Sequence, residues 1–124
     1  MKFGIAIILL LATCGCETVP RVHLYNNTPH ALHVVTEYQE YSLPSMGWLV
    51  MVDGSIPNGL RLEHGTSHHT YRVHYPSKEW MKHSLLYEEL TLRLEADGKI
   101  YVVPPPSLVV ASAHQPEGYP LIGT

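Results

Sequence analysis

The sequence predicts an all-β domain: a small immunoglobulin-like or fibronectin-III-like sandwich of about seven strands, with a Pro-rich C-terminal tail. Three observations carry this reading. Short runs of alternating apolar and polar residues recur at spacings of roughly 8–15 residues, as sandwich strands do. Turn-forming Asn, Asp, Gly and Pro separate these runs. All ten prolines fall outside the centres of the runs, as they must where a missing N–H would break a ladder. The Cys-Trp-Cys spacing of antibody domains is absent, and a small β-barrel is the alternative with the same pattern.

The elements follow in chain order. Val22 and Leu24 alternate with His23 and Tyr25, Asn26-Asn27-Thr28-Pro29 turns the chain, and residues 31–38 resume with Leu32, Val34 and Val35. Asn26-Asn27-Thr28 also matches a glycosylation sequon, although a turn accounts for it. Residues 46–52 form a continuous apolar run ending at Asp53-Gly54, too short for a comfortable helix. It reads as a strand buried on both faces, with Trp48 in the core. Leu60 and Leu62 alternate with Arg61 and Glu63. After His64-Gly65-Thr66, residues 67–75 place Tyr71, Val73 and Tyr75 on one face, and Thr70, Arg72 and His74 on the other.

Residues 77–86 follow Pro76 and suggest a short helical turn or loop, with Ser77 as N-cap. The clearest hairpin joins residues 87–95 to residues 99–103, because Leu90, Leu92 and Leu94 alternate with polar residues and Ala96-Asp97-Gly98 accepts positive φ. Past Val103 the chain changes character. Pro104-Pro105-Pro106 favours polyproline II, residues 108–111 offer one edge strand, and the end is an extended tail laid across the sandwich or partly free.

Ahead of the domain, Lys2, the apolar residues 3–12 and the small-residue approach Thr13-Cys14-Gly15 lead to Cys16. A short basic segment followed by an apolar run of this length marks a secretory signal, whereas a spanning helix needs about 20 apolar residues. This segment resembles a bacterial lipoprotein signal peptide with its lipobox. Gly15 supplies the small residue before the cleavage point, and Thr13 stands where the pattern usually has Leu. Leu11-Ala12-Thr13-Cys14 is a second register, with a bulkier residue at the scissile bond. Cys16 is favoured because that position must fit the tightest part of the peptidase site. The resemblance implies cleavage between Gly15 and Cys16, a covalent lipid on Cys16, and a membrane-held protein of the cell envelope. Glu17 in place of Asp implies the outer membrane rather than the inner. The expected organisation is a signal over residues 1–15, an acylated tether over 16–20, the sandwich over 21–103 and the tail over 104–124.

Composition narrows the function classes. Eight Lys and Arg against eleven Asp and Glu give a formal charge of −3, and the cations are scattered, which argues against a nucleic-acid surface. With Cys14 removed and Cys16 acylated, neither of the two cysteines remains for a disulfide, so stability rests on packing. No Gly-x-Ser-x-Gly elbow, His-Glu-x-x-His helix, Walker loop or free thiol nucleophile is present. Glu88 and Glu89, adjacent on a strand, point to opposite faces and cannot flank one bond. The expectation is a protein without enzymatic activity.

Two groups of candidate residues stand out. The chain has nine histidines, and His64, His68 and His69 are close enough in sequence to suggest a Zn or Cu site if they converge across the Gly65-Thr66 turn. Eight Tyr and two Trp against one Phe favour aromatics with one side packed and one side wet, as at interfaces. Tyr38, Tyr41, Trp80 and Tyr119 are the binding candidates. The leading expectation is a lipid-tethered module that binds or supports another envelope protein. A metal- or small-ligand-binding lipoprotein using the His-rich strand is one alternative. A phage- or plasmid-encoded surface-exclusion lipoprotein is the other.

Overall fold

The computed structural model describes residues 19–105 and 114–124. Ten strands form among them: β1 (Arg21–Asn26), β2 (Leu32–Val35), β3 (Glu40–Leu43), β4 (Trp48–Met51), β5 (Leu60–His64), β6 (Ser67–Tyr71), β7 (Lys82–His83), β8 (Glu88–Leu94), β9 (Lys99–Val102) and β10 (Leu121–Ile122). One sheet has the order β10-β9-β8-β1-β4, with β7 also paired to β8; the other has the order β3-β2-β5-β6. Both sheets are open, so the architecture is a two-sheet sandwich and not a closed barrel.

The alternation in β1 explains its central place. Val22, Leu24 and Asn26 are fully buried, and their neighbours face outward. The strand runs parallel to β8, with Val22 beside Leu90 and Leu24 beside Leu92, and antiparallel to β4, with Val22 beside Met51. Inward residues of three neighbouring strands therefore share one layer. From the other sheet Val34, Leu43, Leu60, Leu62 and Tyr71 meet them in a single core. The parallel pairing is possible because the chain crosses to the second sheet between β1 and β8, which a tight turn does not allow.

The seven strands expected from alternation or from the apolar run of residues 46–52 are present, and the structure adds β3, β7 and β10. Strand β3 is short and polar, EYSL, with only Leu43 buried, and its pairing with β2 defines it. The segment after Pro76 is one 3-10 turn, Lys78–Trp80, and Ser77 makes no side-chain cap. Trp80 and Met81 are both buried, and Met81 is already extended, so the chain passes straight into β7.

Contrary to expectation, residues 46–52 are not buried on both faces. Strand β4 is the edge of its sheet, and only Met51 is fully buried, whereas Trp48 is 51 % exposed and Val50 and Val52 are also exposed. A continuous apolar run normally signals cover on both faces; here, among the described residues, the outer face has no second layer.

The C-terminal residues are part of the sandwich. Leu121 pairs with Ile100 of β9, and Thr124 exchanges backbone hydrogen bonds of 3.0 Å with Thr70 of β6, so one short segment ties the two sheets together. Gly123 permits the approach: a Cβ there would stand 2.8 Å from His69 Cβ and from the Tyr71 ring. The suggested edge strand at residues 108–111 and the signal segment, with Cys14, Gly15 and Cys16, fall outside the described residues. Asn26, the first residue of the sequon, is buried and fully engaged. Its amide donates to the carbonyls of His30 (2.8 Å) and Pro44 (3.2 Å) and accepts from the Thr28 N–H and hydroxyl, which makes it the pivot of the turn.

Candidate functional site

A groove of about 830 Å³ opens at one end of the sandwich between the segment leading into the 3-10 turn and the returning C-terminal chain. His74, Tyr75 and Trp80 form one wall, and His114, Pro116 and Gly118 the other. Tyr119 anchors the structure beneath them. Its hydroxyl donates to the His74 carbonyl at 2.6 Å, and its ring stands 4.7 Å from the His74 ring. Burial, with a contribution from nearby Tyr75, pushes the phenol well above its usual pKa, so Tyr119 is a neutral donor.

Local chemistry explains how the second wall is held. Gln115 pairs with both backbone groups of Val102: the Val102 N–H donates to its Oε1 at 2.7 Å, and its Nε2 donates to the Val102 carbonyl at 3.0 Å. The side-chain amide thus takes the place of a neighbouring strand beside β9. His74 Nε2 is 3.0 Å from the Glu117 carbonyl, closing the groove at Gly118. Trp80 lines the groove, with its ring 5.4 Å from the His114 ring and tilted 43° to it.

Of the four aromatic candidates, Trp80 lines the groove and Tyr119 packs against its His74, and each is 8 % exposed. Tyr38 stands apart at 72 % exposure between β2 and β3. Tyr41 is half-buried and donates to Asp53 Oδ2 at 3.3 Å, which makes it part of the sandwich's internal polar network.

The histidine triad does not converge. Residues on one strand alternate, and in the β5–β6 register Leu62 faces His69, Glu63 faces His68 and His64 faces Ser67. His68 therefore projects from the face opposite His64 and His69. His64 instead stacks on His30, with ring centroids 4.4 Å apart. Among the described residues no group of three or more His, Cys, Asp or Glu is arranged to hold a metal ion. Glu88 and Glu89 engage different histidines, His83 at 3.2 Å and His23 at 3.4 Å.

Sequence reasoning missed Asp53, the buried carboxylate at the end of the β4 segment. It accepts from the Thr36 hydroxyl at 2.5 Å, the Ser55 hydroxyl at 2.5 Å, the Ser55 N–H at 2.9 Å and the Tyr41 hydroxyl. Burial pushes its pKa up, but the bonds from Ser55, Thr36 and Tyr41 outweigh it and hold the carboxyl below its ordinary value. The same charge adds to burial in raising Tyr41 and Tyr75. Asp-Gly-Ser was legible only as a turn. His74, His114 and Gln115 were also missed, because residues so far apart in sequence gave no sign of meeting.

Compared with models of known protein families, with curated proteins and with solved structures, the chain matches none.

Proposed function

We propose that this protein is a lipid-anchored cell-envelope module whose β-sandwich, without enzymatic activity, binds an extended segment of another envelope protein in the groove above Tyr119. The observation that carries the reading is the order of the chain. A lipobox-type signal ends at Cys16, and β1 begins at Arg21, directly after a short tether. The groove supports the binding half. Its walls combine Tyr75, Trp80, Pro76 and Pro116 with the polar tips of His74 and His114, and such aromatic-lined clefts suit extended or polyproline segments. Glu17 favours the outer membrane as the site of the anchor.

Metabolic labelling with a clickable palmitate analogue tests the anchor. The expected outcome is label on the native protein and on Cys14→Ser, and none on Cys16→Ser. Label that survives Cys16→Ser removes the assignment of the anchor to this residue.

A further inference from the structure

The outer face of β4 carries an exposed apolar row that the groove does not use. Trp48, Val50 and Val52 alternate with Leu49 and Met51 and are 51 %, 51 % and 58 % exposed. Spaced two residues apart, they extend over about 14 Å. Trp48 is propped on the Tyr25 ring, at 4.9 Å between centroids, which holds the indole at the surface. A row of this kind on an edge strand is a liability unless something covers it.

The place where the tether enters points to the cover. Val19, 41 % exposed, precedes β1, and its Cγ2 is 3.7 Å from the Cβ position of Gly54, just past Val52. Val19 lies two residues ahead of β1, and its approach to Gly54 sets it at the Val52 end of the row. Only residues 17 and 18 separate Val19 from Cys16, which limits the distance between their Cα atoms to about 11 Å. An acyl chain on Cys16 ends in hydrocarbon, and the polar layer above that hydrocarbon is only about 5–8 Å thick. The Val19 end of the apolar row is thereby kept at the membrane surface. Trp is well suited to that layer; Arg21, on the same outer face, holds its guanidinium 3.9 Å over the Tyr87 ring and is left out of the contact.

We propose that Val19, Val52, Val50 and Trp48 form a second membrane contact, seated in the headgroup and upper acyl region of the bilayer that holds the lipid. The contact rests on the anchor reading above. It makes the protein lie edge-down along β4, instead of standing free on its tether.

The test uses the mature protein extracted from membranes, its intact mass measured, then reconstituted into phosphatidylcholine–phosphatidylglycerol vesicles with or without acyl chains brominated near the headgroup. Trp48 is the exposed tryptophan of the two, Trp80 being buried. Bromolipid is expected to quench the native protein at least twofold more than Trp48→Phe, a variant at a half-exposed position that leaves the core intact. Equal quenching in an acylated preparation overturns the membrane contact and leaves the anchor standing. Trp48 shielded from both bromolipid and iodide in a cross-linkable dimer also overturns it, assigning the row to a second copy. A preparation whose mass shows no acyl group removes the anchor reading and this inference with it.

Discussion

Asp53 shows how much one residue can govern in a small domain. Its carboxylate gathers donors from the end of β2, from β3 and from Ser55, and it stays charged because those donors replace the water it has lost. Asp53→Asn is expected to lower unfolding free energy by about 2 kcal/mol at neutral pH, measured by urea denaturation, because the amide sets N–H groups against donors. The pH dependence has a defined sign. The folded-state pKa stands below the ordinary 3.8, so the stabilisation is complete above about pH 5 and is lost as pH falls below 3.8 through the folded value. The variant is expected to show a shallower loss of stability on acidification. The dependence it keeps includes Asp97, whose carboxyl is held low chiefly by the Tyr101 hydroxyl.

The two tryptophans make a second residue-scale contrast. Trp80→Ala empties a buried site and is expected to cost about 3–5 kcal/mol, whereas Trp48→Ala, on the uncovered face, costs less than about 1.5 kcal/mol. Paired denaturation curves check the order. From the sequence Trp48 reads as core, because neighbouring apolar residues say nothing about whether a strand has a sheet on both sides. That information belongs to the partner layer.

At the scale of elements, the β8–β9 hairpin was the most legible part of the chain. Leu92 faces Val102 and Leu94 faces Ile100, and the connection turns at Gly98, with φ of 79°, as Ala96-Asp97-Gly98 suggested. The least legible element was β10. Two residues carry no periodicity, and Leu121–Ile122 becomes a strand only because β9 offers an open edge and Thr70 offers a second attachment. Deleting residues 119–124 is expected to lower the melting temperature by more than about 10 °C, since it removes Tyr119, Leu121 and the link between the sheets. Gly123→Val is expected to lower it by a smaller amount, through the close approach to His69 and Tyr71. Calorimetry on the two variants checks both the direction and the order.

For the whole molecule, the groove and the start of β1 are formed by different segments of the chain. Val19 lies against Gly54 beside the edge strand β4, while the groove lies between the 3-10 turn Lys78–Trp80 and residues 114–118. The proposed function requires the groove to stay open to a partner while the protein is held to a membrane. A photo-crosslinking residue in place of His114 is expected to capture an envelope protein in living cells, and one in place of Tyr38 to give several-fold less of that adduct. Equal capture at the two positions places the binding surface elsewhere than the groove.

By itself, the sequence determined the all-β class and the seven strands read from alternation or from an apolar run, and its first sixteen residues carry the pattern on which the proposed anchor rests. Each of these depends on neighbours within a few residues, through side-chain period, turn chemistry or a contiguous apolar run. Only the tertiary structure decided which strand is an edge, which histidines meet, where Gln115 docks and that Asp53 is buried. Those outcomes depend on the order in which strands pair and on which layer covers which face, and the core chose them from contacts between residues far apart along the chain.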